Sequence, residues 1–227
     1  MGFSLRFALM FLAVALPLSA TAKLVSGYRF QAIATDTAIT NSLWNMAGGN
    51  KQAIYATKMI RSLDYAYDAG PTITFYGGRV DEEGKPIPEA IASVPEGATR
   101  LLLLFTKLAT PDENGLTYRV FAMKDDVNDF SFGSFRFMNT SRKTVAIDLA
   151  GERFVLKRGE TQTLKVEPPE LGDLPIRIAA PDEAGTWLSN YTNGWGHRSN
   201  LRTLVFIIEG SKGRIKPLRY RQTEPSY

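Results

Sequence analysis

Residues that could recognise a ligand are concentrated near the C-terminal end of the sequence. Gly194 and Gly196 flank Trp195, so we predict that its indole projects from a loop running from Trp187 to Arg198. Flat rings beside hydrogen-bonding groups often grip sugar rings or protein surfaces. For Trp187 the core is the alternative, because the residues around it have a strand-like pattern. The predicted binding residues are Trp187, Tyr191, Trp195, His197 and Arg198.

His197 is the only histidine, so any histidine-dependent mechanism must use this residue. A serine hydrolase needs a nucleophile hydrogen-bonded to the histidine and a carboxylate behind it. The sequence has no Gly-x-Ser-x-Gly motif, and Ser199 lies only two residues from His197. We therefore predict no catalytic residues and a protein that is not an enzyme. The alternative is an exported glycosidase-like hydrolase, which needs only two carboxylates that the fold brings together.

The composition limits the metal sites that the chain can form. Cysteine is absent and histidine occurs once, which excludes cysteine ligands and sites built from several histidines. Calcium prefers carboxylate oxygens, and acidic residues cluster at 81–84, 112–115 and 125–129. None of these clusters has the ligand spacing of an EF-hand loop. We predict no cofactor and no metal, and calcium at 125–129 stays open as an alternative.

Basic residues gather near the C-terminus, at Lys212, Arg214, Lys216, Arg219 and Arg221. One interpretation is an edge strand, because lysine, arginine and proline protect a sheet edge from pairing with another chain. The other is a surface that holds an anionic polymer or a component of the cell envelope. The net charge of +4 is too small to indicate nucleic-acid binding, so we predict no nucleic-acid partner.

The first 22 residues have the three parts of a cleavable secretory signal peptide. Arg6 supplies the positive charge, Phe7–Leu18 form the apolar run, and Ala20-Thr21-Ala22 match the small-residue cleavage pattern. The apolar run is shorter than the roughly 20 residues that span a bilayer, so we predict no membrane-spanning segment. A cysteine-free exported chain fits the bacterial periplasm or the extracellular medium, because small exported eukaryotic domains depend more often on disulfides.

We therefore expect the exported protein to begin at Lys23, within a few residues, because alanines at positions 20 and 22 fit the peptidase pocket. Intact-mass spectrometry of exported material measures this directly. Envelope material that retains Met1 would contradict the prediction.

The elements that position these residues are predicted to be strands. Short stretches rich in β-branched and aromatic residues recur between Gly, Pro, Asn and Asp. Residues 28–32, 135–137 and 144–149 alternate in polarity, which predicts strands with one buried face. Leu101–Phe105 and Leu204–Ile208 are apolar on both faces, which predicts central strands covered on both sides. Turn residues at 150–152 and 157–160 predict a three-stranded meander over 132–166.

The predicted fold is all-β, with two tandem sandwich domains after the signal peptide. A mature chain of about 205 residues suits two β domains of about 100 residues each. The acidic, apolar-poor segment 124–129 is the predicted boundary between domains at 23–126 and 130–222. Each half ends in a long apolar strand, a polar turn and a last strand, so the two halves are loosely alike in order. One helix remains possible within 41–46 or 54–67.

Four stretches in the second half of the chain carry a resemblance to a known kind of protein. Ser134–Ser141, Val145–Leu149, Glu152–Leu156 and Arg158-Gly159-Glu160 resemble the second module of uncharacterised secreted bacterial proteins built from immunoglobulin-like sandwiches. The resemblance covers about 132–221 and implies an immunoglobulin-like fold and an exported location, with no activity attached. The predicted function is a non-enzymatic exported protein that binds a protein, polysaccharide or other envelope component. A subunit of a surface assembly is a further alternative.

Overall fold

The structure is a computed structural model, and it describes residues 27–58, 60–210 and 213–224. The predicted signal peptide and its cleavage site lie outside these residues. Within the described ranges, no helix is long and apolar enough to cross a membrane. The described chain is built from β-strands without an α-helix, which confirms the predicted all-β fold.

In the residues that the structure describes, sixteen strands form four sheets of four strands each. The first eight strands are β1 Arg29–Ala34, β2 Ile39–Ala47, β3 Asn50–Ala56, β4 Tyr65–Ala66, β5 Thr72–Val80, β6 Pro86–Ser93, β7 Arg100–Lys107 and β8 Tyr118–Lys124. The other eight are β9 Ser134–Asn139, β10 Val145–Leu149, β11 Glu152–Leu156, β12 Thr161–Lys165, β13 Leu174–Pro181, β14 Trp187–Trp195, β15 Leu201–Glu209 and β16 Ile215–Thr223.

The first eight strands form the N-terminal sandwich, and the last eight form the C-terminal sandwich. In the N-terminal sandwich, an outer sheet of order β3-β2-β5-β6 packs on an inner sheet of order β4-β1-β7-β8. In the C-terminal sandwich, the inner sheet has the order β12-β9-β15-β16 and the outer sheet β11-β10-β13-β14. The two inner sheets face each other across a third apolar cluster, so four sheets are stacked in series.

The amino-acid pattern of each strand matches its layer. Strand β10 alternates buried and half-buried residues, as expected for a sheet with one face on the core. The predicted burial on both faces is confirmed for Leu101–Phe105 and Leu204–Ile207, whereas Ile208, the last residue of the second predicted run, is half-buried. One face of each packs inside its own sandwich, and the other face packs against the opposite sandwich.

The two sandwiches share one topology, strand for strand. In each, the first strand pairs in parallel with the seventh, and the seventh pairs antiparallel with the eighth. Even the register corresponds: Gln31 lies beside Leu102 on β7, and Arg136 lies beside Leu204 on β15. The likeness between the two halves, loose in the sequence, is therefore close in the fold.

Two local predictions are wrong. Residues 135–137 have no solvent-facing side, because Arg136 lies under the opposite sandwich and is only 6% exposed. The predicted meander over 132–166 does not form, since β10 and β11 pair in the outer sheet while β12 pairs with β9 in the inner sheet. Turn residues marked the strand ends correctly, yet the chain changes sheets at 157–160 rather than returning beside its neighbour.

The stretches 41–46 and 54–67, left open for a helix, form strands β2 to β4 and a connection.

The segment proposed as a boundary contributes to the interior. Asp125 and Phe130 are both buried, at 3% and 1% exposure, and Phe130 joins the apolar cluster between the sandwiches. The connection at the predicted boundary therefore adds to the core despite its acidic, apolar-poor sequence. The division into domains at 23–126 and 130–222 stays a prediction. So does the immunoglobulin-like identity, and each sandwich has eight strands rather than the seven of a constant-type immunoglobulin domain.

Candidate functional site

Trp195, the centre of the predicted recognition loop, lies in the core. Its ring is 1% exposed and stacks near Phe135 and Phe137, at centroid distances of 6.0 and 6.1 Å. Its Nε1–H donates to the hydroxyl of Tyr191 at 3.0 Å, which satisfies the buried polar group of the indole. The prediction that Trp195 stands out of a turn is therefore wrong.

The predicted loop is itself a strand, β14, with Trp187 and Trp195 at its two ends. A nine-residue strand separates its ends by about 26 Å, so the two indoles belong to different places on the molecule. Trp187 is 49% exposed, which also corrects the alternative that placed it in the core. The five predicted residues thus do not form one surface.

His197 is buried and serves as a support for the chain around it. Its Nε2–H donates to the carbonyl of Val166 at 2.9 Å, and its ring packs on Phe135 at 4.7 Å. Nδ1 has no hydrogen-bond partner among the described residues, so no carboxylate orients the ring for base catalysis. This packing fixes Gly196 and Arg198 on either side, at the rim of a cleft.

That cleft has a volume of about 1000 Å³, and it lies between the two sandwiches. The N-terminal sandwich and its connections contribute Gln31, Ile60 and Arg61. The C-terminal sandwich contributes the His197–Arg198 turn, the Gly172-Asp173 turn and the final part of β16 from Arg219 to Thr223. The cleft therefore depends on how the two sandwiches are stacked.

Arginine dominates the charged lining of the cleft. Arg198, Arg219 and Arg221 are all exposed, and among the described residues none of the three forms an ion pair. Asp173 is the one carboxylate that the described lining holds. A guanidinium offers planar, paired donors that match carboxylate, phosphate and sulfate oxygens. The arrangement is suited to an anion.

Core packing positions the central arginine. The guanidinium carbon of Arg219 lies 4.9 Å from the ring centroid of Trp195, in cation–π geometry, so the buried indole acts as a platform for a charged group. Burial lowers the pKa of the Arg219 guanidinium, the positive charge of Arg221 lowers it further, and Tyr191 and Asp173 act in the opposite direction. An anion bound beside Arg219 and Arg221 would relieve their mutual repulsion.

A buried ionic network lies beneath the cleft. Asp125 pairs with Arg61 on one oxygen and with Arg202 on the other, the second at 3.5 Å. Gln31 and Gln222 complete the network as acceptors, from Arg61 at 3.4 Å and from Arg202 Nη2 at 2.7 Å. One carboxylate therefore holds two guanidinium groups, one from each sandwich. Burial lowers the pKa of Arg202, and the charge of Asp125 opposes that effect.

The same contacts bear on the calcium site considered at 125–129. Both oxygens of Asp125 face arginines, and Asp126 accepts a hydrogen bond from the backbone N–H of Asn128 at 3.0 Å. Across the part of the chain that the structure describes, no group of three or more His, Asp or Glu side chains is arranged to hold a metal ion. The acidic segment has an ionic role within the fold.

A second cleft, of about 520 Å³, opens at the opposite end of the same interface. It also carries basic groups, Arg119, Arg142 and Lys216, but Arg142 is bound to Glu209 at 3.0 Å and Asp36 adds another carboxylate. Its charges are therefore largely balanced within the cleft. The larger cleft is the better candidate for a binding site.

Part of this site was predicted from the sequence. Arg198 was a predicted binding residue, and Arg219 and Arg221 belong to the basic group near the C-terminus. Strand β16 is an edge strand, as one interpretation required, and the same strand also lines the cleft. Arg61 and Asp173 were missed, because no local pattern distinguishes them from ordinary surface charges. Only the stacking of the sandwiches brings them to the cleft.

Comparison with known proteins adds no relative: no protein-family description matches this sequence, and no curated protein is significantly similar to it.

Proposed function

We propose that this chain is an exported, non-enzymatic binding protein whose arginine-lined cleft holds an anionic group of a protein, a polysaccharide or another envelope component. The observation that carries the proposal is the convergence of Arg198, Arg219 and Arg221 on one large cleft, without ion-pair partners among the described residues. Export to the periplasm or the medium is supported by the signal-peptide pattern of residues 1–22.

The electrostatics of the cleft support this function. Like charges held close together destabilise a protein, and a complementary anion removes that repulsion while it gains charge-assisted hydrogen bonds. The buried Asp125 already pairs with Arg61 and Arg202, so it does not pair with the rim arginines. The rim is thus available to a ligand, whereas the floor is structural.

The cleft lining also supports binding over hydrolysis. A glycosidase needs two carboxyl groups about 5–10 Å apart across the scissile bond. In the described lining, Asp173 is the only acid, and His197 is buried with its Nε2–H bound to a backbone carbonyl. The hydrolase alternative has no comparable observation in its favour.

The test uses three soluble polyanions as probes: polyglutamate, polyphosphate and dextran sulfate, with neutral dextran as the blank. We expect the exported protein to bind at least one polyanion. The triple substitution Arg198→Gln, Arg219→Gln and Arg221→Gln should weaken that binding by about ten-fold or more, since each hydrogen bond to a charged group contributes about 1.5–3 kcal/mol. Isothermal titration calorimetry at two salt concentrations measures the effect.

A matched variant removes the same charge elsewhere. It carries Lys157→Gln, Arg158→Gln and Arg177→Gln. These three residues are exposed and lie on or near the outer sheet of the C-terminal sandwich, outside the cleft. This variant should bind within about two-fold of the unmodified protein, since long-range charge effects are screened beyond roughly 10 Å at 0.1 M salt. Equal weakening by both variants would mean that net charge alone attracts the probes, and the proposed site would be refuted.

A further inference from the structure

The two sandwiches face each other through equivalent surfaces. Because the strand registers match, these interface residues of one inner sheet have equivalent positions on the other. Ile33 is equivalent to Met138, Leu102 to Leu204, Leu104 to Phe206, and Met123 to Tyr220. All eight belong to the apolar cluster between the sheets. An interface built from the same patch on both partners is the hallmark of two-fold symmetry.

The second cleft fixes the direction of this approximate axis. Thr35 and its equivalent Thr140 both line it, as do Arg119 and its equivalent Lys216. Equivalent strand ends therefore meet at the same end of the interface, and the axis runs roughly along the strands. Any groove beside the axis should consequently occur twice, once on each side.

The partner of the large cleft is a groove that the chain itself fills. By the same registers, Gln31 and Arg221 of the cleft correspond to Arg136 and Lys124 on the other side. There, the connection from β8 to β9 occupies the groove. Arg136 donates to the backbone carbonyls of Lys124 and Asp129, and to the hydroxyl of Thr163 at 2.8 Å.

The connecting segment is held mainly by arginine and by one aromatic ring. Phe130 is 1% exposed and lies between two guanidinium groups, 4.7 Å from Arg136 and 5.1 Å from Arg202. Arg202 also donates to the carbonyl of Phe130 at 3.2 Å. The segment 125–132 is acidic and carries two phenylalanines. The filled groove thus holds a peptide segment through guanidinium groups, which bind its backbone carbonyls, lie over its aromatic ring and pair with the carboxylate of Asp125.

We propose that the open cleft binds an acidic peptide segment with an aromatic side chain, supplied by a partner protein. This rests on the proposed function and names the class of its ligand. Strand positions of the cleft are equivalent to strand positions of the filled groove, and the cleft has more positive charge on its edge strand, since Arg219 and Arg221 stand where Ala122 and Lys124 stand on the other side. The extra charge favours a free ligand, which must overcome the entropy of association that a tethered segment avoids.

The rim of the cleft also has apolar side chains that an aromatic residue of the peptide can contact. Ile60 lines the cleft and is 71% exposed, and Leu171, which precedes the lining residue Gly172, is 93% exposed. Exposed aliphatic side chains beside arginines offer an aromatic side chain both apolar contact and cation–π geometry. A simple polyanion would use only the arginines. A requirement for the aromatic residue therefore separates a peptide ligand from a polysaccharide or phosphate ligand.

The test uses a fluorescein-labelled peptide with the sequence of residues 125–132, Asp-Asp-Val-Asn-Asp-Phe-Ser-Phe, acetylated and amidated, as the probe for the exported protein. We expect saturable binding by fluorescence anisotropy. Replacing both phenylalanines of the peptide by alanine should weaken binding by about five-fold or more, and replacing its three aspartates by asparagine by about ten-fold or more. In the protein, Arg219→Gln together with Arg221→Gln should weaken binding by about ten-fold, whereas Arg158→Gln together with Arg177→Gln should leave it within about two-fold.

The outcomes separate this inference from the proposed function. If polyanions bind through the cleft arginines but the peptide does not, or if the alanine-substituted peptide binds equally well, the ligand is an anion of another class and the peptide inference is wrong. If neither the peptide nor any polyanion binds, both proposals fail. If peptide binding is unchanged by the cleft substitutions, the cleft is not its site and the inference is likewise overturned.

Discussion

Replacing Asp125 by asparagine is expected to lower the free energy of unfolding by about 3–5 kcal/mol, the usual effect of removing one partner from a buried ion pair. The carboxylate is 3% exposed and holds Arg61 and Arg202, which come from opposite sandwiches. Its loss leaves two positive groups facing each other beneath the cleft, with Arg202 itself only 3% exposed. Urea unfolding followed by circular dichroism measures the change.

The matched control is Asp64→Asn. Asp64 also pairs with an arginine, Arg100, at 2.9 Å, but both side chains are partly exposed. An exposed ion pair contributes about 0–1 kcal/mol, so this substitution should have little effect. Equal effects of the two substitutions would show that Asp125 is not a buried link between the sandwiches. A large effect of Asp125→Asn would also establish that the floor of the cleft and the sandwich interface depend on one residue.

The second large effect is expected for Trp195→Ala, which should lower the free energy of unfolding by about 3–5 kcal/mol. The indole is 1% exposed, packs beside Phe135 and Phe137, and satisfies its N–H through Tyr191. Removal leaves a cavity in the core of the C-terminal sandwich. It also removes the ring beneath Arg219, so anion binding should weaken together with stability.

Trp187→Ala is the matched control, because it makes the same change at the other end of the same strand. Trp187 is 49% exposed, and surface substitutions of this kind usually stay within about 0.5 kcal/mol. Urea midpoints of both variants, with tryptophan fluorescence as a second readout, distinguish the two sites. If Trp195→Ala is no more destabilising than Trp187→Ala, the indole is not core, and its role as a recognition residue should be reconsidered.

The site itself has two levels of organisation. Asp125, Arg202 and Phe130 tie the sandwiches together through buried contacts, and Arg198, Arg219 and Arg221 stand at the rim above them. For these two groups of residues, stability and binding therefore respond to different substitutions, whereas Trp195→Ala should affect both. Variants of the rim should change affinity with little loss of stability, whereas variants of the floor should do the reverse.

By itself, the sequence determined the all-β fold class and the burial pattern of strands β7, β10 and β15. Alternating polarity in β10 predicts one buried face, and continuous apolar runs in β7 and β15 predict two, because side chains on a strand point to opposite faces with a period of two. Such patterns are local, so they can be read without knowing what the strand packs against. Turn residues likewise marked the ends of β10 and β11 correctly.

Only the tertiary structure decided which side chains meet. Glycines around Trp195 indicated a loop, but the packing of Phe135 and Phe137 buries the ring inside a strand. The acidic, apolar-poor segment 124–129 indicated a boundary between domains, but Asp125 pairs with one arginine from each sandwich, and the adjacent Phe130 is buried between two arginines of the C-terminal sandwich. Charge and aromaticity are local properties of the sequence, whereas burial depends on partners that are distant along the chain. The proposed binding cleft likewise depends on distant partners, because it exists only where two similar sandwiches stack about an approximate two-fold axis and one of the two resulting grooves stays open.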